Sequence, residues 1–256
     1  MIYRTFQNLK LSALGMGAMR LPVLEGDDAR IDVPAAEKMV DYAMEHGVNY
    51  YDTAWGYHDG NSERVLGKAL GRYPRDSFFL TDKFPGYDLS NMDKVEEIFE
   101  KQLEKCGVEY FDFYLFHNVC EMNIDAYLDP GYGICEYLLK QKENGRIRHL
   151  GFSAHGGYQV LKRFLEAYGQ SMEFCQIQLN YLDWSFQEAE KKVELLALYN
   201  EHCFTEGGFI APMALAAFPK EKLPSACIGC RSCEKVCPQQ IRVSEAMADF
   251  AGKLGL

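Results

Sequence analysis

Strand-like and helix-like segments alternate along this chain with a period of roughly 30 residues, the length of one βαβ unit. The spacing predicts a helix from about Asp32 to His46, with Asp32 as its cap and Gly47 as its stop. A short strand follows at Val48 to Asp52. The next helix is expected over Ser62 to Leu70, with Ser62 capping it and Glu63 in its first turn. Further strands are expected at Phe78–Lys83, Phe111–His117, Arg148–Ser153 and Phe174–Asn180. The helices between and after them fall at about Met92–Cys106, Tyr132–Asn144, Tyr158–Tyr168 and Phe186–Tyr199. Before this series, residues 1–30 read as extended segments and turns. Gly15 and Gly17 mark a strand end that comes close to other backbone.

Strands separated by helices build a parallel sheet with helices packed outside it. No Gly-x-Gly-x-x-Gly run follows the first strand, which argues against an open dinucleotide-binding sheet. Asp52, Lys83, His117 and Ser153 instead fall at the C-terminal ends of four different strands. That placement belongs to an α/β fold of the (β/α)8 TIM-barrel type, whose chemistry lies on that rim. About six βα units precede residue 200, so the barrel is expected to be incomplete, with unpaired sheet edges. Beyond them lie turn-rich sequence, a cysteine cluster and one closing helix at about Val243–Leu254.

Composition narrows the function classes. There are 27 Lys and Arg against 37 Asp and Glu, a net charge of −10, so the basic footprint of a nucleic-acid binder is missing. No run of about 18 apolar residues is present to span a membrane. Met1–Phe6 lacks the apolar stretch of a secretory leader, and the expected location is cytoplasmic.

Asp52, Tyr57, Lys83 and His117 make chemical sense as a set. A phenol with a pKa near 10 is a poor acid at neutral pH. A lysine ammonium beside it favours the phenolate, and a carboxylate keeps the lysine charged and oriented. An imidazole can donate to a substrate carbonyl, so the group could protonate an alkoxide as hydride reaches carbon. Taken singly, each residue reads more simply as packing, core or solvated surface. Their order on successive strand ends is what points to a working site.

The region Met1 to Leu196 resembles the aldo-keto reductases. The resemblance rests on Leu14-Gly15-Met16-Gly17, Asp52-Thr53-Ala54, Tyr57, Asn61-Ser62-Glu63, Lys83, His117, Gly151-Phe152-Ser153 and Gln176. It implies Tyr57 as general acid/base, Lys83 and Asp52 tuning it, and His117 orienting the carbonyl of a small-molecule substrate. It also implies NAD(P)H as cofactor. Gly17, Ala18 and Met19 would line the nicotinamide ribose, Ser153 and Gln176 would hold the carboxamide, and Asn180 would sit near it. The chain departs from the family pattern after Ser153, where Ala154 and His155 stand in place of the common Asn. The seventh and eighth strand units, which supply the family's cofactor platform, are not visible.

Cys227, Cys230, Cys233 and Cys237 form C-x2-C-x2-C-x3-C-P with Pro238, the run that ligates a [4Fe–4S] cluster. Zinc is the second reading, though it favours two separated pairs. The run stands alone, so the cluster's fourth ligand is open. Cys203 is the nearest spare thiol, and it reads more simply as a small buried residue.

From about Leu198 onward the chain resembles the ferredoxin-like tail of one branch of the same family, which normally carries two such runs. Two barrel units and one cysteine run are thus missing together. One internal deletion near residues 195–198 explains all three absences. The expected organisation is a barrel over 1–197 and a small, mostly helical and loop iron–sulfur segment over 198–256.

Two functions follow from this reading. One is an NAD(P)H-dependent carbonyl reductase whose iron–sulfur tail passes electrons or docks a redox partner protein. The other is a non-catalytic barrel remnant serving as an iron–sulfur electron-transfer or binding protein. An open sheet edge would also allow homo-oligomers. Two other features read as structural. The aromatic run Tyr110–Phe116 is expected to pack in the core, and Glu121, Asp125 and Asp129 to form a solvated loop.

Overall fold

A computed structural model of the chain describes residues 1–179 together with Lys192 and Val193. Residues 1–156 and 163–176 form one compact unit, and residues 157–162 and 177–256 group in a second. Within the second, the first turn of α6, residues 177–179 and the helical pair Lys192–Val193 are described.

The first unit opens with an antiparallel hairpin, β1 (Tyr3–Phe6) and β2 (Leu9–Ser12). The parallel sheet then begins. Its strands are β3 (Met16–Gly17), β4 (Tyr50–Asp52), β5 (Phe79–Phe84), β6 (Phe111–Val119), β7 (Ile147–Ala154) and β8 (Phe174–Ile177), side by side in chain order. The register is parallel from β3 to β7 and pairs Gly17 with Asp52, Asp52 with Thr81, and Lys83 with Leu115. This is the curled sheet of an incomplete (β/α)8 barrel, with six of its strands among the described residues.

The helices are α1 (Val33–Glu45), α2 (Ser62–Leu70), α3 (Val95–Cys106), the short α4 (Ile124–Leu128), α5 (Ile134–Glu143) and α6 (Tyr158–Tyr168). α1 starts as expected. The Asp32 side chain accepts from Ala35 N at 3.1 Å, and the helix gives way to Gly47 at φ +82°, a conformation that glycine adopts without strain. α2 does not start as expected. Asn61 occupies the cap position and Ser62 is the first helical residue. The Ser62 hydroxyl is drawn inward instead, donating to Ala18 O at 2.8 Å and meeting Thr53 Oγ1 at 2.9 Å, because the site is buried on both sides.

Other differences are local. The segment Leu11–Leu21 breaks into the end of β2, the two-residue β3 and a 3-10 turn at Ala18–Arg20. Gly15 is the close approach: a Cβ there would lie 3.0 Å from Tyr50 Cδ1, whereas at Gly17 it would meet nothing within 4 Å. α3 begins three residues later than expected, after a 3-10 turn at Leu89–Asn91. α4 went unforeseen because five residues are too few to show a period. The helices expected at Phe186–Tyr199, apart from Lys192 and Val193, and at Val243–Leu254 lie outside the described residues, as do Asn180, the stretch near 195–198 and the cysteine run.

The core lies between the sheet and its helices. Phe111, Phe113, Tyr114, Leu115 and Phe116 are all buried, the near-continuous apolar run of a strand covered on both faces. Phe113 reaches towards the hairpin, with its ring 5.6 Å from that of Phe6 and 5.1 Å from that of His149. Asp125 pairs with Arg163 at 2.6 Å, and Asp129 accepts from Gly131 N at 2.8 Å.

Candidate active site

Parallel strands bring their C-terminal ends to one rim, so residues far apart in sequence become neighbours there. Asp52 ends β4, Lys83 lies one residue from the end of β5, and His117 lies two from the end of β6. Tyr57 reaches the same rim from the loop between β4 and α2. That loop is held by backbone bonds from Tyr57 N to Ala54 O and from Ser62 N to Tyr57 O.

Lys83 is the hub. Its Nζ donates to Asp52 Oδ1 at 2.6 Å and to Thr53 O at 2.7 Å. It also lies 3.5 Å from the Tyr57 hydroxyl, the outer limit of a hydrogen bond. Lys83 is 1% exposed, so this ammonium has exchanged water for a fixed set of oxygens. Burial works against its charge, but the charge on Asp52 and the oxygen of Tyr57 outweigh that, and its pKa is raised.

The Tyr57 phenol behaves differently from the sequence expectation. Burial raises its pKa, Lys83 pulls it down and Asp52 raises it again. The balance lies above the ordinary phenol value, not below it. Lys83 therefore limits the rise without reversing it. The phenol is a proton carrier at neutral pH, with an ammonium beside the oxygen that would bear negative charge after transfer.

His117 lies edge-on to two phenol rings, 5.9 Å from Tyr57 and 5.2 Å from Tyr87. Burial, then the Lys83 charge, then His155 push its pKa well below the ordinary imidazole value, so the ring is neutral. Its Nδ1 and Asp52 Oδ2 are buried atoms with no hydrogen-bond partner among the described residues. Polar groups left open in such a place are paired by water or ligand in a working protein.

The residues expected at a nicotinamide are less uniform. Gly17 ends β3 beside Asp52 with open space in front of its backbone. Ala18 is buried with its carbonyl taken by Ser62, and Met19 is exposed. Ser153 is buried at the end of β7, where its Oγ accepts from Asn118 N at 2.7 Å. Asn118 sits in the left-handed region at φ +57°, where the register between β6 and β7 shifts. Gln176 is exposed on β8.

A family model described as the aldo/keto reductase family matches residues 13–222, most of the chain. The chain belongs to the aldo/keto reductase family. Within it, the chain is 24% identical over 215 residues to the NADH-specific methylglyoxal reductase of Escherichia coli K12, covering 76% of this chain and 62% of the relative. It is 29% identical over 151 residues to the L-galactose dehydrogenase of Arabidopsis thaliana, covering 57% of this chain and 45% of the relative. The chain thus spans only 45% to 62% of these relatives' own length. Among solved structures, the holo form of an aldo-keto reductase from Bacillus halodurans is similar at 26% identity and a TM-score of 0.62, over 78% of this chain and 63% of that one. A second family model, a 4Fe-4S binding domain, matches residues 221–242, which contain the four-cysteine run.

This aldo-keto reductase rim rests on buried polar residues that motif reading passed over. Asp82, Gln102 and Glu63 are fully buried beneath Lys83, and Lys105 joins Glu63 at 2.6 Å while lying 3.8 Å from the Trp55 ring centroid. His58 bolts two loops to Tyr57's neighbourhood. Its Nε2 accepts from Leu21 N at 2.9 Å, and its Nδ1 donates to Asp28 O at 2.8 Å.

Proposed function

We propose that this chain is an NAD(P)H-dependent reductase of small carbonyl compounds, with Tyr57 as its proton donor. The observation that carries the reading is the Lys83 ammonium held between Asp52, Thr53 O and the Tyr57 hydroxyl on the strand-end rim. When bound, the nicotinamide supplies the hydride. The neutral His117 ring donates to the carbonyl oxygen and fixes its direction. Tyr57 gives its proton to that oxygen as negative charge builds there. Lys83 stabilises the phenolate left behind, and Asp52 keeps Lys83 charged and aimed.

Gly17, Ala18 and Met19 would line the ribose, with Ser153, Gln176 and Asn180 about the carboxamide. The open backbone at Gly17 and the unpartnered polar atoms of Asp52 and His117 fit a ligand at this rim. Two further parts of the reading rest on sequence. Cys227, Cys230, Cys233 and Cys237 would be iron–sulfur ligands, the first three in the spacing that holds one [4Fe–4S] cluster, whose fourth ligand the run alone leaves open. The barrel part would end near residue 197, at an internal deletion.

The test is oxidation of NADH and NADPH by the purified chain over a panel of aldehydes and ketones. Turnover that falls about 100-fold or more in Tyr57→Phe, as removal of a general acid does, supports the reading. An intact cluster without turnover on any carbonyl would favour an iron–sulfur carrier on an inactive barrel.

A further inference from the structure

Beneath the rim lies a buried cluster of five charged or acidic side chains, and its charges do not balance if every acid is ionised. The Lys83 ammonium is matched by Asp52 at 2.6 Å, and the Lys105 ammonium by Glu63 Oε2 at 2.6 Å. Asp82 is the third carboxyl. It is 0% exposed, and no cation remains for it among the described residues.

Its oxygens are not equivalent. Asp82 Oδ1 accepts from Lys83 N at 2.8 Å and from Gln102 Nε2 at 2.9 Å, as a carbonyl oxygen would. Asp82 Oδ2 has the Cys106 thiol at 3.8 Å, and after burial the nearby Glu63 charge is the largest influence raising the Asp82 pKa. On the other side, Glu63 Oε1 is buried and has no N–H or hydroxyl donor among the described residues. One carboxylate oxygen lacks a donor, and the neighbouring acid lacks a cation. A single proton on Asp82 satisfies both.

We infer that Asp82 is a protonated acid that donates to Glu63, and that this buried pair is a positioning device for the Lys83–Tyr57 couple. The inference rests on the reductase reading for its link to Tyr57, but the proton itself does not. Gln102 Nε2 also donates to Lys83 O at 2.9 Å, and its Oε1 accepts from the buried Tyr114 hydroxyl. The backbone of Lys83 is therefore clamped on both sides through Asp82 and Gln102.

The groups that face Asp82 are Glu63 from α2, Gln102 and Cys106 from α3, Tyr114 from β6 and its own neighbour Lys83, while Lys105 from α3 is paired to Glu63. Burial and the Glu63 charge are the two largest influences holding the proton on Asp82. A neutral Asp82 adds no negative charge near the phenol, so Lys83 acts on Tyr57 with Asp52 as its one counter-charge.

Infrared spectroscopy of the full chain, with aspartate or glutamate carboxyls separately carbon-13 labelled, tests the proton directly. A protonated-carboxyl C=O band at neutral pH that shifts with the aspartate label and disappears in Asp82→Asn is expected. Absence of that band from the wild type overturns the inference, as does a band that shifts with the glutamate label and disappears in Glu63→Gln. If Asp82→Asn does not fold, the aspartate-label shift in the wild type decides. The positioning role has its own readout. Asp82→Asn keeps both hydrogen bonds without a charge, so the alkaline limb of kcat should stay where it is. A limb moved to lower pH would mean that a negative charge had been removed, and would overturn the neutral assignment. Asp82→Leu removes the clamp and should lower kcat about 10- to 100-fold. If no carbonyl is turned over at all, the kinetic readout falls with the reductase reading, and the infrared result still decides Asp82.

Discussion

The Lys83 ammonium and the Asp52 carboxylate meet at 2.6 Å where β5 and β4 run out, on two strands paired in parallel register. Lys83 is almost wholly buried, and Asp52 nearly so. Such a pair offers little net stability over an apolar replacement, but breaking one half strands a buried charge. Its presence on the rim is better explained by what it does to Tyr57 than by what it adds to folding.

Removing Lys83 alone should therefore be costly. Lys83→Met leaves Asp52 without its cation, and the expected loss of stability is about 3–5 kcal/mol. Chemical denaturation of the two proteins measures it. The double variant Lys83→Met, Asp52→Leu should recover much of that loss, because neither charge then remains.

Tyr57 predicts a pH dependence. Reduction needs the protonated phenol, so turnover should persist through neutral pH and fall only as pH rises through a value above the ordinary phenol pKa of about 10. Removing the Lys83 charge takes away the influence that pulls this value down. The alkaline limb of any residual activity in Lys83→Met should accordingly move further up. A limb that moves down would contradict the assigned role of the ammonium.

At the other end of the barrel, Glu173 ties the hairpin to the sheet. Its carboxylate accepts from Gln7 at 2.8 Å and His149 at 2.8 Å, and meets Lys142 at 2.7 Å. Burial opposes its ionisation, but these donors outweigh it and bring the carboxyl from 4.5 down to about 2. A depressed carboxyl contributes stability that is present above pH 4.5 and is lost as pH falls towards 2. Glu173→Gln should flatten the fall of the melting temperature in that window, as thermal scans from pH 5 to pH 2 would reveal.

Phe113 is the packing counterpart. Its ring lies 5.1–6.2 Å from those of Phe6, Tyr50, Phe79, His149 and Phe174. Phe113→Ala should cost about 3–5 kcal/mol by emptying the space between hairpin and sheet. Hydrogen exchange should quicken first at Tyr3–Ser12, which depends on that contact through Phe6.

What could be read from sequence was set by periodicity and by chemistry. The alternation of apolar strands with amphipathic helices located β4 to β8, α1 to α3, α5 and α6, since each segment shows its own period. The rim residues were legible because a parallel sheet puts strand ends together, so Asp52, Lys83 and His117 needed no long-range information beyond their order. Ser62 was misread because a serine before a helix usually caps it, and only the fold shows Ala18 and Thr53 competing for its hydroxyl. The direction of the Tyr57 shift was misread for a similar reason: sequence reveals the neighbouring cation but not the depth of burial. Asp82, Gln102 and Lys105 carry no motif, and their meaning comes wholly from tertiary contact.

The central claim is that this rim moves hydride and proton to a carbonyl, with Tyr57 supplying the proton. The most direct measurement is mass spectrometry of the alcohol formed when the purified chain is given a carbonyl compound and the reduced nicotinamide cofactor with both C4 hydrogens replaced by deuterium. The account predicts one deuterium on the carbinol carbon, with product formation falling about 100-fold or more in Tyr57→Phe. Deuterium-free product, or equal product from Tyr57→Phe, would contradict it.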